Sequence, residues 1–147
     1  MNVLLSIKPQ YVDRILSGEK KFEFRRRIFR RQVESAYVYC NSHVKRIVGA
    51  FTVGKILSGT QEQIWDMCGR EGGIEKEAFF RYFSGAPKAY AIEIVNFYEF
   101  DEAVIPELLV EKFYPPQSFY YVPSWIPACT YLHEDKDPLT LDSGVDG

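Results

Sequence analysis

The apolar positions at the start of the chain follow first a strand period and then a helical one. Residues 4–7 are predicted as a strand, and Pro9 suits the first position of a helix because its missing N–H needs no partner there. Four apolar residues recur at helical spacing after it, namely Tyr11, Val12, Ile15 and Leu16. Gly18 is the residue type that commonly ends such a helix in a left-handed conformation. The opening is therefore predicted to be strand, short helix, strand.

From Lys21 onward the pattern has a period of two. Phe22 and Phe24 point to one side of the predicted strand, and the charged residues Lys21, Glu23 and Arg25 point to the other. The aromatic side is expected to be buried, and the charged side is expected to face water or a ligand. Lys20 lies in the turn beside that charged side.

Strands dominate the rest of the chain. Further strands are predicted at residues 35–40, 44–53, 88–100 and 119–122, and helices at 61–68, 74–83 and, briefly, 106–111. Thr60 and Gln63 form a capping box at the start of the first of these helices. Gly49, inside an apolar strand, indicates a bulge or a close backbone approach. We expect an α+β fold, a small curled β-sheet or β-barrel with short helices covering its openings.

At 147 residues, one domain is the default. We place it at residues 1–127, where Pro123 and Pro127 follow the last predicted strand. Residues 128–147 are acidic and contain few apolar side chains, so they are expected to form a flexible C-terminal tail.

The net charge of −2 conceals an uneven distribution. Residues 1–50 carry eleven Lys and Arg against four Asp and Glu, a balance of +7, whereas residues 51–147 carry seven against sixteen, a balance of −9. The basic residues concentrate between Lys20 and Arg31. This concentration favours an anionic partner, nucleic acid above all. The alternative is a solvated hairpin whose charges protect exposed strand edges.

The remaining composition narrows the function classes. Three cysteines lie far apart with no paired spacing, which is typical of reduced thiols in a cytoplasmic protein. With two histidines beside these dispersed cysteines the chain offers few metal ligands, so neither a metal site nor a cofactor is expected. No apolar run approaches the roughly 18 residues of a membrane helix, and Met1 leads into a strand without a secretory pattern. We therefore expect no membrane partner and a cytoplasmic location.

One motif carries a family resemblance. Gly18, Lys20, Glu23 and Arg25 have the spacing Gly-x-Lys-x-x-Glu-x-Arg after a short helix, and residues 5–9 precede it with the sequence Leu-Ser-Ile-Lys-Pro. This segment resembles the opening of an ASCH domain, a branch of the PUA-like superfamily. Later segments are compatible with that domain through roughly Val122. The resemblance implies a PUA-like barrel that binds RNA or modified bases.

The motif residues also fit such binding chemically. Lys20 and Arg25 can grip a phosphate, while Glu23 can accept a hydrogen bond from a base amino group. Further ligand contacts are expected from Lys8, Arg26 and Ser42, and from a polar and aromatic cluster near the predicted barrel mouth, Gln117, Ser118 and Tyr120. The predicted partner is RNA or a nucleotide-like ligand, and the sequence leaves the oligomeric state open.

Enzymatic alternatives also follow from the resemblance. Some ASCH proteins are ribonucleases, for which Glu23 would act as the base while Lys20 and Arg25 stabilise charge. Others are amidohydrolases acting on N4-acetylcytidine, with the motif lysine, a threonine and a later glutamate. Here the threonine position holds Glu23, and the candidates for the later glutamate are Glu71, Glu75 and Glu77. A third possibility is a protein-interaction module in which Glu23 and Arg25 form only an exposed ion pair.

Overall fold

Strand pairing organises the chain into one curled sheet. The structure, a computed structural model, describes residues 1–108, 113, 115 and 119–122. The strands in this part are β1 (Asn2–Ile7), β2 (Phe22–Arg25), β3 (Ser35–Cys40), β4 (Arg46–Gly59), β5 (Ala89–Val104) and β6 (Phe119–Val122). The helices are α1 (Pro9–Leu16), α2 (Gln61–Cys68) and α3 (Lys76–Phe83), with short 3-10 turns at Gly69–Glu71 and Pro106–Leu108.

The sheet is a mixed half-barrel with the strand order β2-β5-β4-β3-β1-β6. β1 and β3 run parallel, and all other neighbours are antiparallel. Pairing between β4 and β5 shifts register near Gly49, where an added Cβ would lie 2.5 Å from the Tyr98 carbonyl oxygen. The close backbone approach predicted at this glycine is confirmed, and the shift bends the sheet.

The helices begin and end where their capping residues predict. Pro9 opens α1, and Gly18 follows it with a φ of 85°. The Thr60 side chain accepts a hydrogen bond from the Gln63 N–H, and the Gln63 side chain accepts one from Thr60 N–H, so the capping box is complete. Strands β3 and β6 have the predicted bounds. Strands β4 and β5 begin one or two residues later than predicted and end later, at Gly59 and Val104, and α3 begins at Lys76 rather than at residue 74.

The predicted α+β class is confirmed, and most of the predicted core is buried. Seven apolar side chains from the predicted strands are buried inside the sheet: Leu5, Ile7, Phe24, Val38, Ile47, Phe51 and Ile92. Phe22 and Ile94 are half-buried. Phe22 lies on the edge strand β2, and Ile94 lies on its neighbour β5.

The charged side of β2, which is predicted to face water or a ligand, is not exposed to bulk water. Glu23 and Arg25 are 7% and 6% exposed, and Lys20 is 4% exposed. Phe24 packs on the opposite side against Phe79 and Phe83 of α3, with ring centroids 5.0 and 6.4 Å away. Both sides of this short edge strand are therefore covered, one by aromatic rings and the other by charged side chains and α1.

Two predictions fall outside the described residues. They are the domain boundary at 127 with the tail 128–147, and the side chains of Gln117 and Ser118. Within the described part, no helix is long and apolar enough to cross a membrane.

Candidate functional site

A pocket of about 770 Å³ opens where the end of β1, the start of α1, the strand β2 and the helix α3 meet. Residues from all four elements and from the turn after β3 line it: Ser6, Ile7, Lys8, Gln10, Tyr11, Lys20, Glu23, Phe24, Arg25, Arg26, Arg27, Asn41, Ile74, Ala78, Arg81 and Tyr82. Its size suits a small organic ligand.

The lining of this pocket is strongly basic. Six cationic side chains contribute to it: Lys8, Lys20, Arg25, Arg26, Arg27 and Arg81. Among the lining residues in the described part of the chain, Glu23 is the one carboxylate. A concave site lined by one sign of charge concentrates ions of the opposite sign, so this pocket favours an anionic ligand.

Lys20, Glu23 and Arg25 form a buried charge network, which we call the triad. The Glu23 Oε2 lies 2.8 Å from the Arg25 Nη2, and the Glu23 Oε1 lies 3.6 Å from the Lys20 Nζ. Arg25 also donates to the Ser6 carbonyl oxygen at 3.0 Å, which ties β2 to the end of β1. One carboxylate thus sits between two cations at the wall of the pocket.

Burial lowers the pKa of Lys20 below its ordinary value, because it disfavours the charged ammonium. The nearby cations Arg25 and Arg14 lower it further, while Glu23 opposes the shift. Lys20 Nζ lies 5.3 and 4.9 Å from the ring centroids of Tyr11 and Phe24, which favour the cation. A lysine whose proton is held less tightly than usual can give up that proton more readily.

The backbone of two consecutive glycines, Gly72 and Gly73, packs against Lys20 and its neighbour Arg14. The Lys20 Nζ donates to the Gly72 carbonyl oxygen at 2.8 Å, and Arg14 Nη1 donates to the next carbonyl, that of Gly73, also at 2.8 Å. Gly73 has a φ of 60°, and a Cβ added there would lie 2.5 Å from the Lys20 Cβ. The glycines thus allow the chain after α2 to pass directly against the lysine.

We expect Gly73→Ala to impair the site more than Gly85→Ala. Both glycines have positive φ, so both substitutions carry a backbone cost of about 1–2 kcal/mol. An added Cβ at Gly85 meets nothing within 4 Å, whereas at Gly73 it displaces Lys20. Melting temperatures and RNA binding by both variants test this. Equal loss of RNA binding in the two variants would contradict it.

Aromatic and polar side chains complete the pocket. Tyr11 and Tyr82 contribute rings on which a base can stack. The Asn41 side chain donates to the Ser6 hydroxyl at 3.1 Å, so the turn after β3 is linked to the end of β1. Arg26 donates to the Tyr82 carbonyl oxygen at 3.1 Å and thereby joins the end of β2 to α3.

Most of the motif-based site residues meet in this pocket. Lys8, Lys20, Glu23, Arg25 and Arg26 all line it. Lys20, Arg25 and Arg26 lie just before, within and just after β2. Because they are close along the chain, their spacing alone predicts that they lie close together in space.

Two predicted contacts lie elsewhere. Ser42 is in an exposed turn and does not line the pocket, although its neighbour Asn41 does. Tyr120 is fully buried in a core cluster with Leu4 and Tyr37, so its ring is not accessible for stacking on a ligand. Strand β6 pairs with β1 and is covered there, which the sequence of β6 could not reveal.

Sequence reasoning also missed residues that come from distant segments. The sequence predicts Tyr82 as a core residue of its helix, but it is 40% exposed and lines the pocket with Arg81, which sequence analysis did not single out. Asn41 is predicted only as part of a polar turn near the barrel mouth. Arg81 and Tyr82 follow Ala78 at helical spacing, and this shared face was the one signal available for them.

The later glutamates considered for hydrolysis do not line the pocket in the described structure. Glu71 lies 3.2 Å from Lys21, and Glu75 lies 3.9 Å from Arg14. Glu77 is exposed on α3. Within residues 1–108, 113, 115 and 119–122, no group of three His, Cys, Asp or Glu side chains is placed to hold a metal ion.

Comparison with known proteins identifies a family for this chain. The model of the ASCH domain matches residues 5–116. An ASCH domain-containing ribonuclease from Zymomonas mobilis is 28% identical over 122 residues, which cover 81% of this chain and 82% of that protein. The crystal structure of an ASCH protein from Zymomonas mobilis has a TM-score of 0.77 at 26% identity, covering 84% of this chain and 88% of that one. A point mutant from the same organism has a TM-score of 0.75 at 25% identity, covering 89% and 92%.

Proposed function

This chain belongs to the ASCH domain family, and we propose that it binds a nucleotide unit of single-stranded RNA in its basic pocket. Family membership, together with a relative named a ribonuclease, supports an RNA-related function. The observation that carries the finer proposal is the convergence of six cations, one carboxylate and two tyrosine rings in one pocket.

Each group has a part in this proposal. The exposed cations Lys8, Arg26 and Arg81 neutralise phosphate oxygens at the pocket rim. Tyr11 and Tyr82 offer stacking surfaces for an unpaired base. Glu23 accepts a hydrogen bond from a base amino group.

Burial of the triad argues against a purely structural ion pair. An exposed Glu23–Arg25 pair would need no further explanation, since such pairs contribute about 0–1 kcal/mol. Here the three side chains are at least 91% removed from solvent. Desolvating a charge costs several kcal/mol, and apolar replacements of buried ion pairs are often equally stable or more stable. A buried network at a pocket wall is therefore better explained by what it does to a ligand.

Binding should depend on the rim cations and on salt. We expect Lys8→Gln and Arg81→Gln each to weaken binding of a single-stranded oligonucleotide and to reduce the slope of log affinity against log salt by roughly 0.7. Both side chains are exposed, so the fold should be unaffected. Fluorescence anisotropy with a 2′-O-methyl oligocytidine, whose bases carry the amino group that Glu23 would accept from, measures this without cleavage.

Lys55→Gln is the matched control, since Lys55 is equally exposed but lies on β4 outside the pocket. It should bind like the unaltered protein. Absence of binding at low salt by a folded protein would reject the proposal and favour a protein-interaction role.

Cleavage of the bound RNA is a second candidate function, favoured by the lowered pKa of Lys20 beside Glu23. Glu23 would accept the proton of a 2′-hydroxyl, whose oxygen attacks the adjacent phosphorus. The 5′-oxygen leaves with a proton from Lys20, and the products are a 2′,3′-cyclic phosphate and a 5′-hydroxyl end. Arg25 would stabilise the additional negative charge on the phosphate.

The proton would then return from Glu23 to Lys20. After such a step Glu23 is protonated and Lys20 is neutral, and 3.6 Å separates the Glu23 Oε1 from the Lys20 Nζ. An approach of the two side chains to hydrogen-bond distance would let the proton pass and restore both groups. The amidohydrolase alternative is less well supported, because Glu23 replaces the threonine and none of Glu71, Glu75 and Glu77 lines the pocket.

A further inference from the structure

We infer that the substrate is an RNA chain of several nucleotides, which leaves the pocket along a loop of arginines, and not a free nucleotide or nucleoside. This inference rests on the proposed RNA binding and specifies its substrate class. The loop comprises residues 26–34, between β2 and β3, and we call it the arginine arch. Arg26 and Arg27 line the pocket, and Arg30 and Arg31 continue beyond it.

The arch is anchored although it contains no helix or strand. Phe29 is buried in the core, with its ring centroid 5.0 Å from that of Phe119 in β6. The Tyr121 hydroxyl accepts the backbone N–H groups of Arg30 at 2.8 Å and Arg31 at 3.3 Å. These contacts hold the arch against β6, at the edge of the sheet opposite β2.

Four exposed arginines project from this anchored segment: Arg26, Arg27, Arg30 and Arg31. No acidic residue lies between Glu23 and Glu34, and Glu34 is 2.7 Å from the amino terminus of Met1. A cluster of exposed like charges on one short loop attracts a polyanion electrostatically. The arch therefore has the charge of a phosphate-binding surface.

Protection of a strand edge does not account for these arginines. Charges that prevent edge-to-edge association lie on the edge strand itself. Strand β2 ends at Arg25, so all four arginines come after it. The Arg31 guanidinium lies 4.8 Å from the Tyr121 ring centroid, which orients a planar cation on the surface of the arch.

The placement of the arginines favours a chain over a monomer. Arg26 and Arg27 line the pocket, whereas Arg30 and Arg31 lie outside its lining, so the basic surface continues past the pocket. Single-strand binding proteins that combine stacking rings with a basic groove occupy roughly 4–16 nucleotides. A mononucleotide bound in the pocket would not contact Arg30 or Arg31.

A length series of 2′-O-methyl oligocytidines, from the mononucleotide to the octamer, tests the inference. Affinity of the unaltered protein should rise with length. Arg30→Gln with Arg31→Gln should weaken octamer binding roughly 5- to 20-fold, reduce the salt slope by about 1.4 and leave mononucleotide binding unchanged. Arg30→Lys with Arg31→Lys keeps both charges and should retain most of the salt slope.

The control pair is Lys55→Gln with Arg70→Gln, which removes two exposed cations outside the pocket and the arch. It should not alter the length dependence. Mononucleotide binding without any gain from length, or equal loss of short and long ligands in the arch variant, overturns the arch and leaves the pocket proposal intact. Failure of every ligand to bind overturns both. Melting curves of each variant show whether the fold is retained.

Discussion

Replacing Lys20 with methionine is expected to lower the rate of RNA cleavage by about 10²- to 10⁴-fold, the usual contribution of a positioned acid or base. Methionine fills a similar volume and removes the charge that burial makes costly, so the fold should persist. The rate of formation of 2′,3′-cyclic phosphate ends, measured by gel and mass analysis, gives the effect. RNA binding should fall much less than the rate.

The pH dependence of the cleavage rate tests the same proton transfer. Lys20 must be protonated to donate a proton to the leaving 5′-oxygen, and burial lowers the pKa of Lys20 below its ordinary value. The rate should therefore decline with rising pH at a lower pH than an ordinary lysine would cause. In Lys20→Met the residual rate should lack this decline.

Lys21→Met is the matched control for Lys20→Met. Lys21 is the next residue, but its side chain is 58% exposed and pairs with Glu71 outside the pocket. It should cleave RNA at the normal rate. Unchanged cleavage by Lys20→Met would show that Lys20 is not the general acid, and it would leave RNA binding as the proposed function of the site.

Replacing Glu23 with alanine is expected to destabilise the fold by about 3–5 kcal/mol, because removal of one partner leaves buried charges uncompensated. Glu23 lies 2.8 Å from Arg25 and 3.6 Å from Lys20, and all three side chains are at most 9% exposed. Denaturant unfolding measures the loss. Glu75→Ala is its control, since the Glu75 side chain is 81% exposed and 3.9 Å from Arg14, and it should change stability by less than about 1 kcal/mol.

Glu23→Gln separates the roles of this residue in stability and in chemistry. Glutamine keeps the shape and can still accept hydrogen bonds, but it is not a base. Cleavage should be lost while RNA binding is retained. If cleavage persists in this variant, another group accepts the 2′-hydroxyl proton. If Glu23→Ala is as stable as Glu75→Ala, the triad does not contribute to the fold as its burial indicates.

Part of the site could be predicted from the motif, because the motif residues are close together along the chain. Lys20 ends a turn, and Glu23 and Arg25 are two residues apart on one strand, so they share a side of β2. The rest of the lining could not be predicted this way. Arg81 and Tyr82 reach the pocket only because α3 packs beside β2, at a separation of more than fifty residues.

The sequence by itself determined the local structure: Pro9 and Gly18 bound α1, the Thr60–Gln63 capping box starts α2, and alternation identifies β2. These features depend on the backbone preferences and hydrogen bonds of neighbouring residues, which a sequence displays directly. Only the tertiary structure decided that the charged side of β2 is buried at a pocket. A period of two shows that the sides of a strand differ, but what covers each side depends on contacts between residues far apart in the chain.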